Sequence, residues 1–176
     1  MCSAIAVAHL LDGWGVRMHD AGARDHDWHR LLRVFGAIMT WFVVGGMLWR
    51  QDGHGRRAWP LVLSAGLSGL IAEVLKMVIR RGRPGADFEG YVLLPFEGAW
   101  WNTADLGMPS SHAAVAFGAA FALWRLFPRI GVIGMGLAVG CAATRVIDRA
   151  HFISDVIAAA GLAWVVVGVL WWRKRT

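Results

Sequence analysis

Thiols are almost missing from this chain of 176 residues, whose two cysteines are Cys2 and Cys141. A disulfide framework and a paired-thiol metal motif are thereby excluded. Charge is also scarce. Asp, Glu, Lys and Arg make up 17% of the residues, whereas a soluble domain carries about a quarter. No internal repeat or low-complexity tract is present. The first residues, MCSAIAVAHLLDGWGV, have no positive leader, so a cleaved signal peptide is not expected. Met-Cys is not the Met-Gly start of a myristoylated chain. What the sequence does hold is apolar mass: 57% hydrophobic residues and eleven Trp. The length suits one domain. The net charge of +6 could serve nucleic-acid binding, but the basic residues lie between long apolar runs, not along a polar stripe. That distribution argues for membrane and against nucleic acid.

Five runs approach the roughly 20 residues that a bilayer core requires: Leu31–Trp49, Trp59–Ile79, Ser111–Phe127, Ile130–Val146 and Ile153–Trp172. The third and fourth are short and joined by Pro128-Arg129. Gly136 and Gly140, a small-xxx-small pair, predict close helix packing in the fourth. The expected fold is therefore an all-α, polytopic membrane helix bundle of about five transmembrane helices. Residues 31–176 form that membrane domain. Residues 1–30 are too mixed to span and read as an amphipathic segment lying on the interface. The aromatic link Gly85–Pro109 reads as a lid or as a loop resting on the bilayer.

Alternating the links between two sides sorts the charge. One side holds Arg50, Arg56, Arg57, Arg125, Arg129, Arg173, Lys174 and Arg175 with the single acid Asp52. On the other side acids and bases nearly balance. The first side is then cytoplasmic and the second faces the periplasm or exterior of a bacterial-type inner membrane. Trp49, Trp59, Trp124, Trp171 and Trp172 fall near the cytoplasmic interface, as an aromatic belt does.

Three polar stretches end on the outward side. In KMVIRRGRP, Lys76 lies inside an apolar run, where a charge costs about 2.5–3.5 kcal/mol on insertion scales, and Glu73 shares its helix face. Alone this reads as a snorkelling Lys. In PSSH, Pro109 to His112, a Ser at a helix start satisfies a free N–H. The same helix end also attracts anions, and His112 titrates near neutrality. In TRVIDRAHFISD, His151 and Asp155 share a face at i,i+4, and Arg145 offers a planar fork for phosphate oxygens. The bland alternative is a polar link in which Asp155 caps the last span. Taken together, Lys76, Arg83, Arg145, a helix N-terminus, two imidazoles and an acid make a phosphoryl-transfer site. Metal ligation by His112, His151 and Asp155 is possible by residue type.

The order Lys76…Arg83-Pro84, Pro109-Ser110-Ser111-His112 and Arg145…His151…Asp155 resembles the type 2 phosphatidic acid phosphatase family, which also includes bacterial acid phosphatases and vanadium haloperoxidases. The resemblance runs from about Trp59 to Trp172. The family usually has Gly where Ser111 stands, Ser where Thr144 stands, often Gly where Arg149 stands, and commonly six spans. The resemblance implies that His151 is a nucleophile forming a phosphohistidine and that Asp155 orients it. It implies that His112 is the acid and base, and that Lys76, Arg83, Ser110, Ser111 and Arg145 hold the phosphoryl oxygens. No metal or other cofactor is then required. The implied partners are membrane lipids and a lipid phosphate or diphosphate substrate. Undecaprenyl diphosphate, phosphatidylglycerophosphate, phosphatidic acid and lipid A phosphate all fit. Two rival readings are a haloperoxidase, whose relatives are soluble, and a lipid-phosphate carrier or flippase without hydrolysis.

Overall fold

The computed structural model describes residues 2–20, 22–85 and 91–172. Within them lie seven α-helices and one 3-10 turn. In chain order the helices are α1 (Cys2–Arg17), α2 (Asp27–Phe35), α3 (Ile38–Asp52), α4 (Ala58–Ile79), α5 (Ser111–Leu126), α6 (Pro128–Ile147) and α7 (Ile153–Trp172). The turn spans Ala23–Asp25. Among the described residues the only β pairing is two isolated bridges, Arg81 with Leu93 and Gly82 with Leu106. The all-α class expected from hydropathy is what forms. Arg173, Lys174 and Arg175, used above to assign sidedness, lie outside the described residues.

Helix α5 is the hub, packing on α4, α6 and α7. Its alanines explain this position. Ala113, Ala114, Ala116, Ala119, Ala120 and Ala122 are fully buried, and such short side chains let neighbouring backbones approach closely. The α4–α5 crossing is closest at Gly118, where an added Cβ would lie 2.5 Å from the Ser64 carbonyl and 2.6 Å from Ser68 Oγ. On α6 the contact falls on Gly131, where a Cβ would meet the Trp124 backbone at 2.4 Å. Gly136, expected at a helix contact, faces open space, while Gly140 instead receives Leu32 of α2. The spacing of the pair was legible, but its rotational phase about the helix was not.

Helices α4, α6 and α7 are each long and apolar enough to cross a bilayer, and the pair α2–α3 is a fourth candidate bent by 66°. The expected run Leu31–Trp49 is thus not one straight helix. It breaks at Gly36-Ala37 because Gly36 is pressed onto α5 and α6: a Cβ there would sit 2.8 Å from the His112 carbonyl and 2.7 Å from Cys141 Sγ. Helix α5, with 16 residues, is about 24 Å long, less than the roughly 30 Å core. Its neighbours enclose it. Outward-facing Leu70, Val78, Ile133 and Trp164 are each at least 60% exposed, an apolar surface that suits contact with lipid. At the basic end Trp49 packs on Trp59 and Arg125 lies over Trp171.

Helix α1 does not stand apart from the bundle. It packs along α7 and touches α6. Its outer face shows Leu10, Leu11 and Trp14, while Ala8, Asp12 and Val16 are buried against the bundle.

Candidate active site

The three polar stretches meet at one end of the bundle. The first leaves α4 through Arg80, whose left-handed backbone (φ 53°) caps the helix. Arg80 is buried, and its guanidinium donates to the carbonyls of Leu94 at 3.0 Å and Trp100 at 2.8 Å. It also lies over the Phe96 ring. The link after α4 is therefore stapled to the helix end rather than free; residues 86–90 of it lie outside the described residues. One turn before, Lys76 is 4% exposed and its Nζ donates to Glu73 Oε1 at 3.0 Å. Arg83 is exposed and within electrostatic reach of Lys76 and Arg145.

The second stretch starts α5. Ser110 is its N-cap, with Oγ accepting from Ala113 N–H at 3.5 Å. Its own N–H donates to the Asp155 carbonyl at 3.3 Å. The Ser111 hydroxyl donates to Glu73 Oε1. His112 is half-buried and has Lys76, Arg33, Arg145 and His151 as electrostatic neighbours. A groove of about 430 Å³ opens beside it, bounded by Gly36, Met39, Gly66, Leu70, Glu73 and Val115. Its polar lining is Glu73, Ser111 and His112, and the rest is apolar or glycine, contributed by the α2–α3 link, α3, α4 and α5.

The third stretch joins α6 to α7. Arg145 is 7% exposed, has Nη1 3.5 Å from Asp148, and keeps a buried Nε with no acceptor among the described residues. Asp148 is also approached by His29 of α2, at 3.1 Å. Arg149 takes a left-handed backbone (φ 53°), a conformation that glycine adopts at lower cost. Its Nε instead donates to the Val16 carbonyl at the end of α1, at 3.0 Å.

His151 is 3% exposed. Its Nδ1 lies 2.7 Å from the Gly107 carbonyl. A carbonyl can only accept, so Nδ1 carries the proton and Nε2 is the nitrogen with a free lone pair. Asp155 Oδ2 is farther, 3.7 Å from Nδ1, and accepts from the Phe152 N–H at 2.8 Å. The closest orienting partner of the imidazole is thus a backbone carbonyl, and Asp155 also closes the first turn of α7, as the bland reading expected. Burial pushes the His151 pKa below its ordinary 6.5; Asp155 opposes the shift, and Arg145 and Lys76 add to it. The resting imidazole is therefore neutral near pH 7.

All eight residues singled out in the sequence lie in these three stretches around the end of α5. Four further groups were missed. Arg81, 4% exposed, forms a buried ion pair with Asp155 and donates to Ser154 Oγ at 2.8 Å. Gly107 supplies the carbonyl under His151. Asp148 backs Arg145. Asp12, from α1, accepts from the Ser154 N–H at 2.8 Å and from its hydroxyl. The one available signal was a lone carboxylate in the apolar IAVAHLLDGW.

A match to a known family covers the same part of the chain. The family model described as the PAP2 superfamily matches residues 57–176. Two curated relatives are each 44% identical over 101 residues, 55% of this chain: "Lipid A 1-phosphatase" of Rhizobium johnstonii and "Lipid A 1-phosphatase" of Rhizobium etli. The match spans 38% and 40% of their respective lengths, so the aligned part is about two fifths of each relative. No solved structure matches.

Proposed function

Since the chain belongs to the PAP2 superfamily, we propose that it is an integral membrane phosphatase acting on a lipid phosphate through a phosphohistidine. The observation that carries this reading is the geometry of His151: buried, held at Nδ1 by the Gly107 carbonyl so that Nε2 keeps its lone pair, with Lys76 and Arg145 as electrostatic neighbours of the ring. An imidazole so oriented is a nucleophile, and the cations beside it offset charge developing on phosphoryl oxygens.

In the first step Nε2 of His151 bonds to phosphorus while the ester P–O bond breaks, and His112 gives its proton to the departing oxygen. In the second, water attacks phosphorus, His112 takes the water proton, and the P–N bond breaks to release phosphate. Arg145 brings the unpartnered Nε, Lys76 and Arg83 bring charge, and Ser110 begins the helix whose free N–H groups face an anion. Because His112 must be protonated in one step and neutral in the next, the rate profile should be bell-shaped. A profile flat from about pH 5 to 8 would contradict two-step use of one imidazole. The side chains supply the charge a metal would otherwise supply, so turnover should survive a chelator.

The groove beside His112 supports a lipid leaving group, since its apolar walls suit acyl chains and its Glu73 end suits a polar headgroup. A lipid A 1-phosphate-like glycolipid monophosphate is the first candidate, on the strength of the two relatives' names; phosphatidic acid, phosphatidylglycerophosphate and undecaprenyl diphosphate are the alternatives. The charge distribution supports a site at the outer face of an inner membrane. Phosphate release by purified protein over these four substrates tests the proposal. One of them should be turned over, and His112→Ala should abolish release. Lipid binding or transfer without release, unchanged in His112→Ala, would favour a carrier.

A further inference from the structure

Helix α1 lies outside the segment that the family model matches, yet it reaches the layer directly behind the site. Four contacts fasten the N-terminal segment to the third stretch. Ser154 N–H donates to Asp12 Oδ1 at 2.8 Å, and the Ser154 hydroxyl donates to Asp12 Oδ2. Arg149 donates to the Val16 carbonyl. His19 Nδ1 lies 2.8 Å from the Ile147 carbonyl. Between them Gly15 meets Ile153 so closely that a Cβ would sit 2.9 Å from its side chain.

Asp12 is fully buried. A buried carboxylate costs several kcal/mol unless hydrogen-bonded, and this one is bonded on both oxygens. Beyond the two Ser154 donors, the Tyr91 hydroxyl donates to Oδ2 at 2.9 Å and in turn lies 2.8 Å from His9 Nδ1. Burial and the Asp12 charge push the Tyr91 pKa up to about 12, so it stays a donor. Ser154 Oγ gives its proton to Asp12 and accepts from Arg81. Arg81 shares its guanidinium between Ser154 and Asp155, with the Tyr91 and Phe152 rings on its faces. The chain of contacts is continuous: Asp12, Ser154, Arg81, Asp155, His151.

We infer that Asp12 is a positioning residue for the reaction: through Ser154 and Arg81 it fixes the first turn of α7, and with it the carboxylate and imidazole of Asp155 and His151. This rests on the reading of His151 as nucleophile. Asp12 touches no substrate. It sets where Arg81 sits, and Arg81 decides how much of Asp155 is left for the imidazole.

The test uses the full chain in detergent or proteoliposomes with the best substrate of the panel. In Asp12→Asn one oxygen can still accept from the Ser154 N–H, but the acceptor of the Ser154 hydroxyl becomes a donor. The expected result is a fall in kcat of about 10- to 100-fold, the size of effect seen when an outer partner that orients a metal-ligating imidazole is removed, with KM within about twofold of wild type. Ser154→Ala should lose kcat by a similar factor, and the double variant should lose no more than either single one, because both cut the same chain. A role in folding alone would lower the yield of active protein while leaving kcat per folded molecule unmoved, and the two losses would add. Either result overturns the inference. Should Asp12→Asn not fold, Ser154→Ala decides by itself, since alanine suits a helix: unchanged kcat refutes, lowered kcat at constant KM supports. Normal turnover in His151→Ala would instead refute the underlying nucleophile assignment, so the two failures are separable.

Discussion

Replacing Arg145 by Lys isolates what the guanidinium does beyond carrying charge. Its Nε is buried and has no acceptor among the described residues, while Nη1 lies 3.5 Å from Asp148 Oδ2. A buried donor left unmade costs about 1–3 kcal/mol. A hydrogen bond to a charged acceptor is worth about 1.5–3 kcal/mol. If Nε donates to a phosphoryl oxygen of the substrate, Arg145→Lys keeps the charge, loses the fork, and lowers kcat/KM by about 10- to 150-fold. The unfolding midpoint should move far less than activity, because the charge beside Asp148 is kept and no protein acceptor of Nε is lost. Phosphate release from mixed micelles gives the first number, and a thermal unfolding midpoint in the same detergent gives the second. Activity within twofold of wild type would refute the reasoning. So would an activity loss matched by a lowered midpoint, since the Nε would then be structural.

Other consequences are simpler to check. Because burial holds the His151 pKa below 6.5, the acid limb of kcat/KM should lie below that value: protonation removes the nucleophile only as pH falls through the lowered pKa, and a limb above 6.5 would contradict a buried neutral imidazole. The same shift makes His151 favour the folded state above pH 6.5 and cost stability as pH falls below it, which a pH series of unfolding midpoints would read. Gly118→Leu should lower the midpoint by the equivalent of about 1–3 kcal/mol or more, whereas Gly136→Ala, with nothing within 4 Å of its Cβ, should leave it unchanged or raised. Arg81→Met should destabilise by about 3–5 kcal/mol, because it strands a fully buried Asp155; an unchanged midpoint would mean that the pair is not formed.

Hydropathy and motif spacing made the helical bundle and the three site stretches legible because both are local signals. Lys76, His112 and His151 stand out as polar residues at the ends of apolar runs, and a common end for all three follows from helix alternation. The break in Leu31–Trp49 was hidden because it arises from Gly36 packing on α5 and α6, a contact no run of hydropathy encodes. Rotational phase was hidden for the same reason, so Gly136 and Gly131 could not be told apart. Asp12 and Arg81 were missed because their meaning is tertiary: Asp12 is an ordinary polar residue until α1 lies against α7, and Arg81 until the segment after α4 meets the first turn of α7. The i,i+4 spacing of His151 and Asp155 put them on one face, yet it could not show that the Gly107 carbonyl stands closer to the imidazole.

The most direct test of the account is to quench turnover of a lipid substrate labelled in its phosphoryl group, hold the protein at alkaline pH where a P–N bond survives, and locate the label by peptide mapping. Label on His151, lost in His151→Ala together with phosphate release, is the predicted result. Label on another residue, or release at the wild-type rate from His151→Ala, would contradict the mechanism.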